Sequence, residues 1–367
     1  MNKNKEERKY PLNQIYFYLT EGCNLRCRHC WIAPKFQNEN RAYPTLSLDL
    51  FKSTVEQANP LGLSGVKLTG GEPLLHPEIE RILDYIKSQN LNLTIETNGV
   101  LCTPDIARQI SECKNHFVSV SLDGADASTH EWVRGVAGCF ESALQGIKNL
   151  VNAEIKPQII MSIMRRNKDQ MEPLVRLAES IGAESVKFNL TMPIARGKKL
   201  HESGDTLSIE ELVELGAWVE NSLSDSTDLR LVFDHPTAFR PLGRMFGDSG
   251  DGCNRCGILG ILGVLANGNY ALCGIGENVP ELVFGHTADN RLEDVWKTTK
   301  ALNELREGLT HRLEGICGEC LMKDICLGSC IAQNFYRNKH LWAPFWYCEE
   351  ARKVGLFPET RMHPAVG

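Results

Sequence analysis

The cysteines are the residues of this 367-residue chain with the clearest capacity for chemistry. Fourteen are present, and eleven of them fall into tight groups instead of being scattered as small buried apolar residues usually are. The N-terminal stretch MNKNKEERKYPLN is charged and has no apolar signal core, so we expect a cytoplasmic protein whose thiols stay reduced. Grouped cysteines in such a compartment usually hold metal.

The first group, Cys23, Cys27 and Cys30, has the spacing C-x3-C-x2-C. Zinc sites normally use four ligands, whereas three thiolates in one loop suit a cubane iron–sulfur cluster that keeps one iron without a protein ligand. Such an iron could chelate a substrate or a cofactor. Two alternatives stay open at this point: a zinc knuckle completed by His29, and a redox-active set of cysteines.

A glycine-rich segment, Thr69-Gly70-Gly71-Glu72-Pro73, directly follows the second predicted strand. Paired glycines let the backbone approach a ligand closely, and Glu72 could receive an ammonium group. Alone, this segment would indicate only a turn. Its position one strand–helix unit after the cysteine loop favours a ligand site.

The elements that must position these motifs alternate between strand and helix over the first two-thirds of the chain. Such alternation predicts right-handed parallel crossovers, and the chemistry then belongs at the carboxyl ends of the strands. Six units are too few for a closed eight-stranded barrel, so the pattern allows a partial barrel or an open wound sheet. The predicted strands are 15–20, 65–69, 93–97, 117–121, 158–163 and 184–190, and the predicted helices are 48–58, 77–89, 105–113, 140–153, 168–181 and 209–223.

The amino-acid composition changes after about residue 239, where glycine, cysteine and short predicted loops dominate. Short strands at 263–266 and 270–272 suggest a hairpin around Asn267-Gly268, and a helix is predicted over 292–309. This pattern predicts a small domain held together by metal more than by a large core. We therefore predict a barrel domain over 1–238, a cysteine-rich domain over 239–350 and a tail over 351–367.

Composition and charge exclude several classes of protein. Hydrophobic residues make up 42% of the chain and charged residues 23%, which is typical of a globular protein and not of a disordered one. The formal net charge of −6 does not indicate the basic surface that is typical of a nucleic-acid-binding protein. The longest apolar run, 257–266, is too short to span a bilayer, so no membrane partner is expected either.

With these motifs in view, the chain resembles the radical SAM superfamily over roughly residues 15–235. CNLRCRHC is similar to that family's cysteine signature and GGEP to its glycine-rich motif, although His29 stands where an aromatic residue is common. The resemblance implies an α/β fold, a partial (β/α)6 TIM-like barrel. It also implies a 4Fe–4S cluster on Cys23, Cys27 and Cys30 that binds S-adenosyl-L-methionine.

The same resemblance assigns roles to residues at the ends of the predicted strands. Gly70, Gly71 and Glu72 would contact the methionyl amine, while Ser121 and Arg134 would contact the ribose and carboxylate of the cofactor. Thr97-Asn98-Gly99 would face the same mouth of the barrel, or form a simple Asn-Gly turn.

The later cysteines resemble the seven-cysteine SPASM pattern that follows many radical SAM domains. Eight cysteines are present, enough for two fully ligated clusters and hence for three 4Fe–4S clusters in all. Structural zinc remains the alternative, and either metal would make the domain depend on metal to fold. By similarity the first auxiliary cluster would take Cys253, Cys256, Cys273 and Cys330, and the second Cys317, Cys320, Cys326 and Cys348.

The function implied is cleavage of S-adenosyl-L-methionine to a 5′-deoxyadenosyl radical that oxidatively modifies a residue of a ribosomally made peptide. Crosslinking, thioether formation and dehydrogenation all fit, because fully ligated clusters suit the removal of an electron. The alternatives are formylglycine formation of the sulfatase-maturase type, oxidation of a small molecule, and a non-enzymatic zinc or cluster scaffold.

The catalytic residue stays unassigned. Sulfatase maturases usually carry Cys-Asp where this chain has Cys273-Gly274, which weakens that interpretation. Replacement acids or bases could be Glu277, Tyr270 or Asp123, although each is more often an ordinary polar residue.

The expected partners are a peptide substrate and a reductant such as flavodoxin or ferredoxin. Only about a dozen residues precede the first strand, so a peptide would need a separate leader-recognition protein or direct docking. The stretches PLNQIYFYLTEGCNLRCRHCW and LCGIGENVPELVFG also resemble peptide maturases of the SynChlorMet cassette.

Overall fold

One twisted sheet of ten strands organises the protein, as seen in a computed structural model that describes residues 10–37, 42–247 and 256–363. A two-stranded ribbon of β2 and β3 lies apart from it. The strands are β1 Gln14–Tyr18, β2 Gly22–Cys23, β3 Lys35–Phe36, β4 Gly65–Thr69, β5 Asn92–Thr97, β6 His116–Ser121, β7 Gln158–Ile163, β8 Ser185–Leu190, β9 Arg230–Phe233, β10 Ile261–Val264, β11 Asn269–Ala271 and β12 Val283–His286.

Helices connect most of the strands and begin at recognisable caps. Ser47 accepts a hydrogen bond from the N–H of Leu50 at the start of α1, and Ser208 with Glu211 forms a capping box on α8. The α-helices are α1 Leu48–Ala58, α2 Ile79–Ser88, α3 Pro104–Ser111, α4 Ala127–Arg134, α5 Cys139–Asn152, α6 Met171–Ser180, α7 Arg196–Glu202, α8 Ile209–Asn221, α9 Leu242–Phe246, α10 Leu292–Thr298, α11 Lys300–Gly308, α12 Gly315–Glu319, α13 Lys323–Cys326, α14 Ile331–Asn338 and α15 Trp346–Lys353. Short 3₁₀ segments cover Asn59–Leu61, Pro73–Leu75, Lys168–Gln170, Leu223–Ser226, Thr237–Phe239, Gly274–Glu277, Pro280–Leu282 and Glu359–Arg361.

The strand order confirms the predicted parallel α/β architecture of a partial barrel. In the order β1-β4-β5-β6-β7-β8-β9 every neighbouring pair is parallel, and the order is linear, so the sheet is not closed. The parallel direction brings the ends of β1, β4, β5 and β6, and the loops that follow them, to one mouth of the barrel.

The C-terminal region extends this sheet. Strand β10 pairs in parallel with β1, and β11 and β12 follow as antiparallel neighbours, which confirms the hairpin predicted at Asn267-Gly268. The predicted domain boundary at residue 238 stays a prediction, but three strands beyond it belong to the same sheet as the barrel.

Two sequence predictions for the C-terminal region are wrong. The single helix predicted over 292–309 is broken into α10 and α11, because Thr299 is extended with ψ of 121°. The region also has more apolar core than predicted: Tyr270, Trp296 and Tyr347 are buried in the same continuous core as the barrel strands. Among the described residues, no helix is both long and apolar enough to cross a membrane.

Candidate active site

A cavity of about 770 Å³ opens at the mouth of the barrel, and two separate groups of cysteines line it. The loops after β1, β4 and β5 contribute Cys23, Cys27, Cys30, Gly70, Gly71, Glu72, Thr97 and Asn98. Strand β6 and helix α4 contribute Ser121 and Arg134, and the C-terminal region contributes Cys256, Cys326 and Cys330. The structure therefore brings together most of the side chains that the sequence singled out.

The first cysteine loop is held by the end of α4. The backbone N–H groups of Arg26 and Arg28 donate to the carbonyls of Arg134 and Val133, both at 2.9 Å. Cys23 and Cys27 are buried, and burial raises the pKa of both thiols. Without metal these thiols are neutral, so metal binding here has to release protons.

Gly70 and Gly71 let the end of β4 press against this loop. Gly70 has φ of +124°, a region that favours glycine. A Cβ built on Gly71 would overlap the carbonyl oxygen of Gly22, one residue before Cys23. The Gly71 N–H donates to the carbonyl of Thr20 at 2.8 Å, so the two loops are joined backbone to backbone. The glycines are required by this close approach, whatever ligand they also contact.

Replacing Gly71 by alanine should therefore disturb the cysteine loop. We expect Gly71→Ala to lower the free energy of unfolding by about 1–3 kcal/mol, as overpacking against rigid backbone usually does, and to lower the iron bound at the first group. Gly243→Ala is the matched control, because a Cβ there meets nothing within 4 Å. Urea unfolding and iron content measure both effects, and equal behaviour of the two variants would contradict this account.

The Glu72 carboxylate joins the ends of β4 and β5. Its Oε1 accepts from the Thr97 hydroxyl at 2.6 Å and from the Leu74 N–H at 3.1 Å, and Oε2 accepts from the Asn98 N–H at 2.8 Å. Burial raises the pKa of Glu72, and these hydrogen bonds oppose that shift. The Asn98 amide in turn donates to Asn24 in the cysteine loop at 2.7 Å, so Thr97-Asn98-Gly99 is more than a turn.

Arg134 is a buried cation aimed at the cysteine loop. Its Nη1 lies 3.5 Å from the Cys27 sulfur, and its Nε lies 2.6 Å from Asp123 Oδ2. Asp123 is fully buried and also accepts from the Ser162 N–H at 2.8 Å. Burial alone would raise the pKa of Asp123, but the Arg134 charge, the two nearby histidines and the Ser162 hydrogen bond together lower it. The Asp123 side chain thus holds Arg134 in place.

Two histidines behind this ion pair are neutral. Burial lowers the pKa of His29 to about 4, and burial with the nearby Arg134 charge lowers the pKa of His130 to about 4. His130 accepts a hydrogen bond from the Asp123 N–H at ring Nδ1, 3.1 Å away, which requires the unprotonated ring.

The buried His130 predicts acid sensitivity. In the unfolded chain the ring protonates near pH 6.5, while in the fold it stays neutral down to about pH 4. The unfolded state binds more protons in this window, so stability falls as the pH is lowered through it, by about 2 kcal/mol between pH 7.5 and 5. The His130→Asn variant keeps a hydrogen-bond acceptor for the Asp123 N–H, and it should lose less stability than the wild type when the pH is lowered. Thermal midpoints at the two pH values measure this, and parallel losses in both proteins would contradict it.

The inside of the barrel is polar, which sequence reasoning missed. Lys67 Nζ lies 2.5 Å from Glu96 Oε1 and 4.8 Å from the centre of the Tyr16 ring, and Lys187 pairs with Asp234 at 3.4 Å. All five side chains line the cavity, whereas closed barrels fill this space with branched apolar residues. Charged residues at inward positions of otherwise apolar strands could have predicted this polar interior from the sequence.

The later cysteines lie at two places. Cys256 and Cys330 line the main cavity, as does Cys326, which also borders a second, small pocket. Burial and the charges of Cys330 and Cys256 raise the pKa of the Cys273 thiol, so Cys273 lies near both. Cys317, Cys320, Cys326 and Cys348 surround one small pocket with Met322 and Phe357. Cys253 lies outside the described residues.

The three suggested replacement bases lie away from the main cavity. Tyr270 is fully buried in the core, where burial raises its pKa to about 12. Burial and the charge of Glu21 raise the pKa of Glu277 to about 7, but Glu277 is not among the residues lining the cavity. Asp123 is engaged by Arg134.

Gly274 also has a structural explanation. A Cβ at this position would overlap the ring and hydroxyl of Tyr18, so the space that an aspartate side chain would need is occupied.

Comparison with known proteins gives the family of each region. The family model described as the radical SAM superfamily matches residues 17–178, and the SPASM model, an iron–sulfur cluster-binding domain, matches residues 250–321. The AdoMet-dependent heme synthase of Methanosarcina barkeri is 28% identical over 324 residues, covering 86% of this chain and 90% of that protein. The mycofactocin maturase MftC of Mycobacterium tuberculosis is 28% identical over 352 residues, covering 94% of this chain and 85% of that protein.

A solved structure has the same fold. Streptococcus suis SuiB bound to its precursor peptide SuiA superposes with a TM-score of 0.72 at 18% identity, covering 95% of this chain and 78% of SuiB. The two family models show that residues 17–178, with the cysteine loop at the barrel mouth, belong to the radical SAM superfamily and that residues 250–321 belong to a SPASM domain.

Proposed function

We propose that this radical SAM enzyme oxidatively modifies a residue of a ribosomally made peptide. One observation carries the proposal: a single cavity is lined both by Cys23, Cys27 and Cys30 and by Cys256 and Cys330 of the SPASM region. A substrate in this cavity would lie between a site that starts radical chemistry and a site that can accept an electron.

The residues at the mouth fit the cofactors that the family implies. Cys23, Cys27 and Cys30 supply three thiolates on one face of the cavity, and a 4Fe–4S cluster held there keeps one iron for S-adenosyl-L-methionine. When both are bound, they supply a 5′-deoxyadenosyl radical that removes hydrogen from an unactivated C–H bond.

The protein positions that cofactor with charge and shape. Arg134, fixed by Asp123, would receive its carboxylate, and Ser121 would hydrogen-bond its ribose. Gly70, Gly71 and Glu72 would present backbone groups to the methionyl amine of the cofactor. The Glu72 carboxylate itself already accepts hydrogen bonds from residues at the end of β5. Glu72, Asp123 and Arg134 are buried, which keeps water away from these charged side chains.

The SPASM cysteines support two auxiliary clusters. The second set shares one pocket, and three of the first set lie together, with Cys253 as the proposed fourth ligand. Among the described residues, no three His, Cys, Asp or Glu side chains converge as ligands of a single metal ion. The match of residues 250–321 to an iron–sulfur cluster-binding domain supports clusters over structural zinc.

A peptide substrate is supported by what similar proteins act on. MftC is named as the maturase of mycofactocin, and SuiB was solved with a precursor peptide bound. The reductant in this proposal is a flavodoxin or ferredoxin, and a separate protein could present the peptide.

Oxidation of a small molecule is the second candidate. It is favoured by the similarity to the heme synthase of M. barkeri and by the size of the cavity, which lies in the range of small-molecule sites. Formylglycine formation is disfavoured, because Tyr18 fills the space beside Gly274 where an aspartate would stand.

The deciding experiment is anaerobic turnover of the reconstituted protein with a precursor peptide encoded beside its gene. We expect 5′-deoxyadenosine, a peptide lighter by two hydrogens, and about twelve iron per chain from three four-iron clusters. Release of 5′-deoxyadenosine with an unchanged peptide and an oxidised small molecule would favour the second candidate. A colourless protein containing zinc would overturn both.

A further inference from the structure

An exposed basic surface adjoins the loop that carries Cys27. Arg26 and Arg28 flank that cysteine in sequence and are both exposed, while Cys27 itself is buried. Two exposed arginines therefore adjoin a buried thiol of the first cysteine group along the chain.

Aromatic rings hold these arginines in place. The Arg28 guanidinium lies 4.6 Å from the centre of the Trp132 ring, and Arg166 lies 5.5 Å from the same ring. Arg26 lies 3.8 Å from the centre of the Phe36 ring. The Arg28 Nε also donates to the Trp132 carbonyl at 2.8 Å. Cations fixed in this way lose little side-chain entropy when a partner binds.

These three arginines lack an acidic partner among the residues that the structure describes, as do exposed Arg230, Arg312 and Arg337 elsewhere on the protein. Within the described part of the chain, Arg26, Arg28 and Arg166 make no ion pair, whereas Arg81, Arg108, Arg165 and Arg176 each pair with a carboxylate. Helix α7 adds exposed Lys199, whose neighbour Leu200 packs in one cluster with Trp132. The net charge of the chain is −6, so this surface is locally opposite in sign to the whole.

We infer that this surface, defined by Arg26, Arg28, Trp132, Arg166 and Lys199, is the docking site of the electron donor, a small acidic flavin or iron–sulfur protein. The inference rests on the proposed function, which requires one electron at the first cysteine group. In the docked complex the carrier loses that electron and the cluster on Cys23, Cys27 and Cys30 gains it, with no bond made or broken between the two proteins.

Charge explains why the surface is needed. An acidic carrier is repelled at long range by a protein of negative net charge, and unpaired cations beside the acceptor reverse that field locally. Their position on the cysteine loop also places a docked carrier beside the segment that holds the first cysteine group. A peptide substrate has to reach the cavity itself and gains nothing from this placement.

The test compares two charge-reversal variants of the reconstituted enzyme. Arg166→Glu/Lys199→Glu changes the proposed surface outside the cysteine loop, and Arg81→Glu/Lys300→Glu makes the same net-charge change on α2 and α11. The first readout is the dissociation constant for an acidic flavodoxin at low and high salt. We expect the surface variant to bind at least about tenfold more weakly and to lose most of the salt dependence, and the control to resemble wild type.

The second readout separates docking from chemistry. Cleavage of S-adenosyl-L-methionine driven by flavodoxin should fall in the surface variant by about the same factor as binding, while cleavage driven by dithionite should stay at the wild-type rate. An equal loss with both reductants, unchanged flavodoxin binding, or weakened binding of the precursor peptide instead would overturn the inference. Wild-type protein that binds flavodoxin but cleaves no S-adenosyl-L-methionine with dithionite would overturn the proposed function and leave the docking surface standing.

Discussion

Replacing Cys23, Cys27 and Cys30 together by alanine is expected to abolish formation of 5′-deoxyadenosine. The three thiols line the cavity together with Gly70, Gly71 and Arg134, and Arg134 Nη1 lies 3.5 Å from the Cys27 sulfur. Removing them takes away every protein ligand of the first cluster, so the rate should fall to that of the uncatalysed reaction. The SPASM cysteines are untouched, and about eight of twelve iron per chain should remain.

Iron content and 5′-deoxyadenosine, measured on the same anaerobic sample, test this expectation. Cys102→Ala/Cys113→Ala is the matched control, because it removes buried thiols that lie outside the three groups. The control should keep both its iron and its activity. If the triple variant still makes 5′-deoxyadenosine, the first cysteine group is not the site of S-adenosyl-L-methionine cleavage.

Replacing Asp123 by asparagine is expected to weaken both the fold and the binding of S-adenosyl-L-methionine. The change keeps an acceptor for the Ser162 N–H but leaves the buried Arg134 guanidinium without its counter-charge. Breaking a buried ion pair on one side typically costs about 3–5 kcal/mol of stability. Because Arg134 then loses its fixed orientation, we also expect the dissociation constant for S-adenosyl-L-methionine to rise at least about tenfold.

A double variant separates the two effects. Asp123→Asn/Arg134→Gln buries no unpaired charge, so its unfolding free energy should recover part of the loss, whereas binding should stay weak because the cation is gone. Urea unfolding and equilibrium binding of S-adenosyl-L-methionine measure the two quantities. Wild-type binding by the single variant would show that Asp123 does not position Arg134 for the cofactor.

Much of the barrel could be predicted from the sequence because its signals are local. Helix α1, strand β4 and strand β7 have the bounds that periodicity and capping predict, since apolar spacing and an N-cap such as Ser47 act within a few residues. The break at Thr299 was missed because a helical pattern continues on both sides of it. Strand β9 was missed because four residues are too few for a periodic pattern, and helix α4 was missed although Asp126 provides a local N-cap.

The candidate site also has features that the sequence predicts and features that it does not. Spacing alone singled out the cysteines and the Gly70-Gly71-Glu72 segment, because their chemistry depends on residue type and separation along the chain. Spacing could not show that Asp123 holds Arg134, nor that Lys67, Glu96 and Lys187 line the inside of the barrel. Those relations join residues on different strands, so they exist only after the sheet has formed.

The sequence by itself determined the family, the alternation of strands and helices, and which cysteines form groups, because each of these depends on residues close together in the chain. Only the tertiary structure decided that cysteines from both ends of the chain share one cavity and that the C-terminal strands continue the barrel sheet. The pairing of β10 with β1 joins segments almost 250 residues apart, with Ile261 opposite Gln14, and no local pattern encodes which strand edge a distant segment will meet.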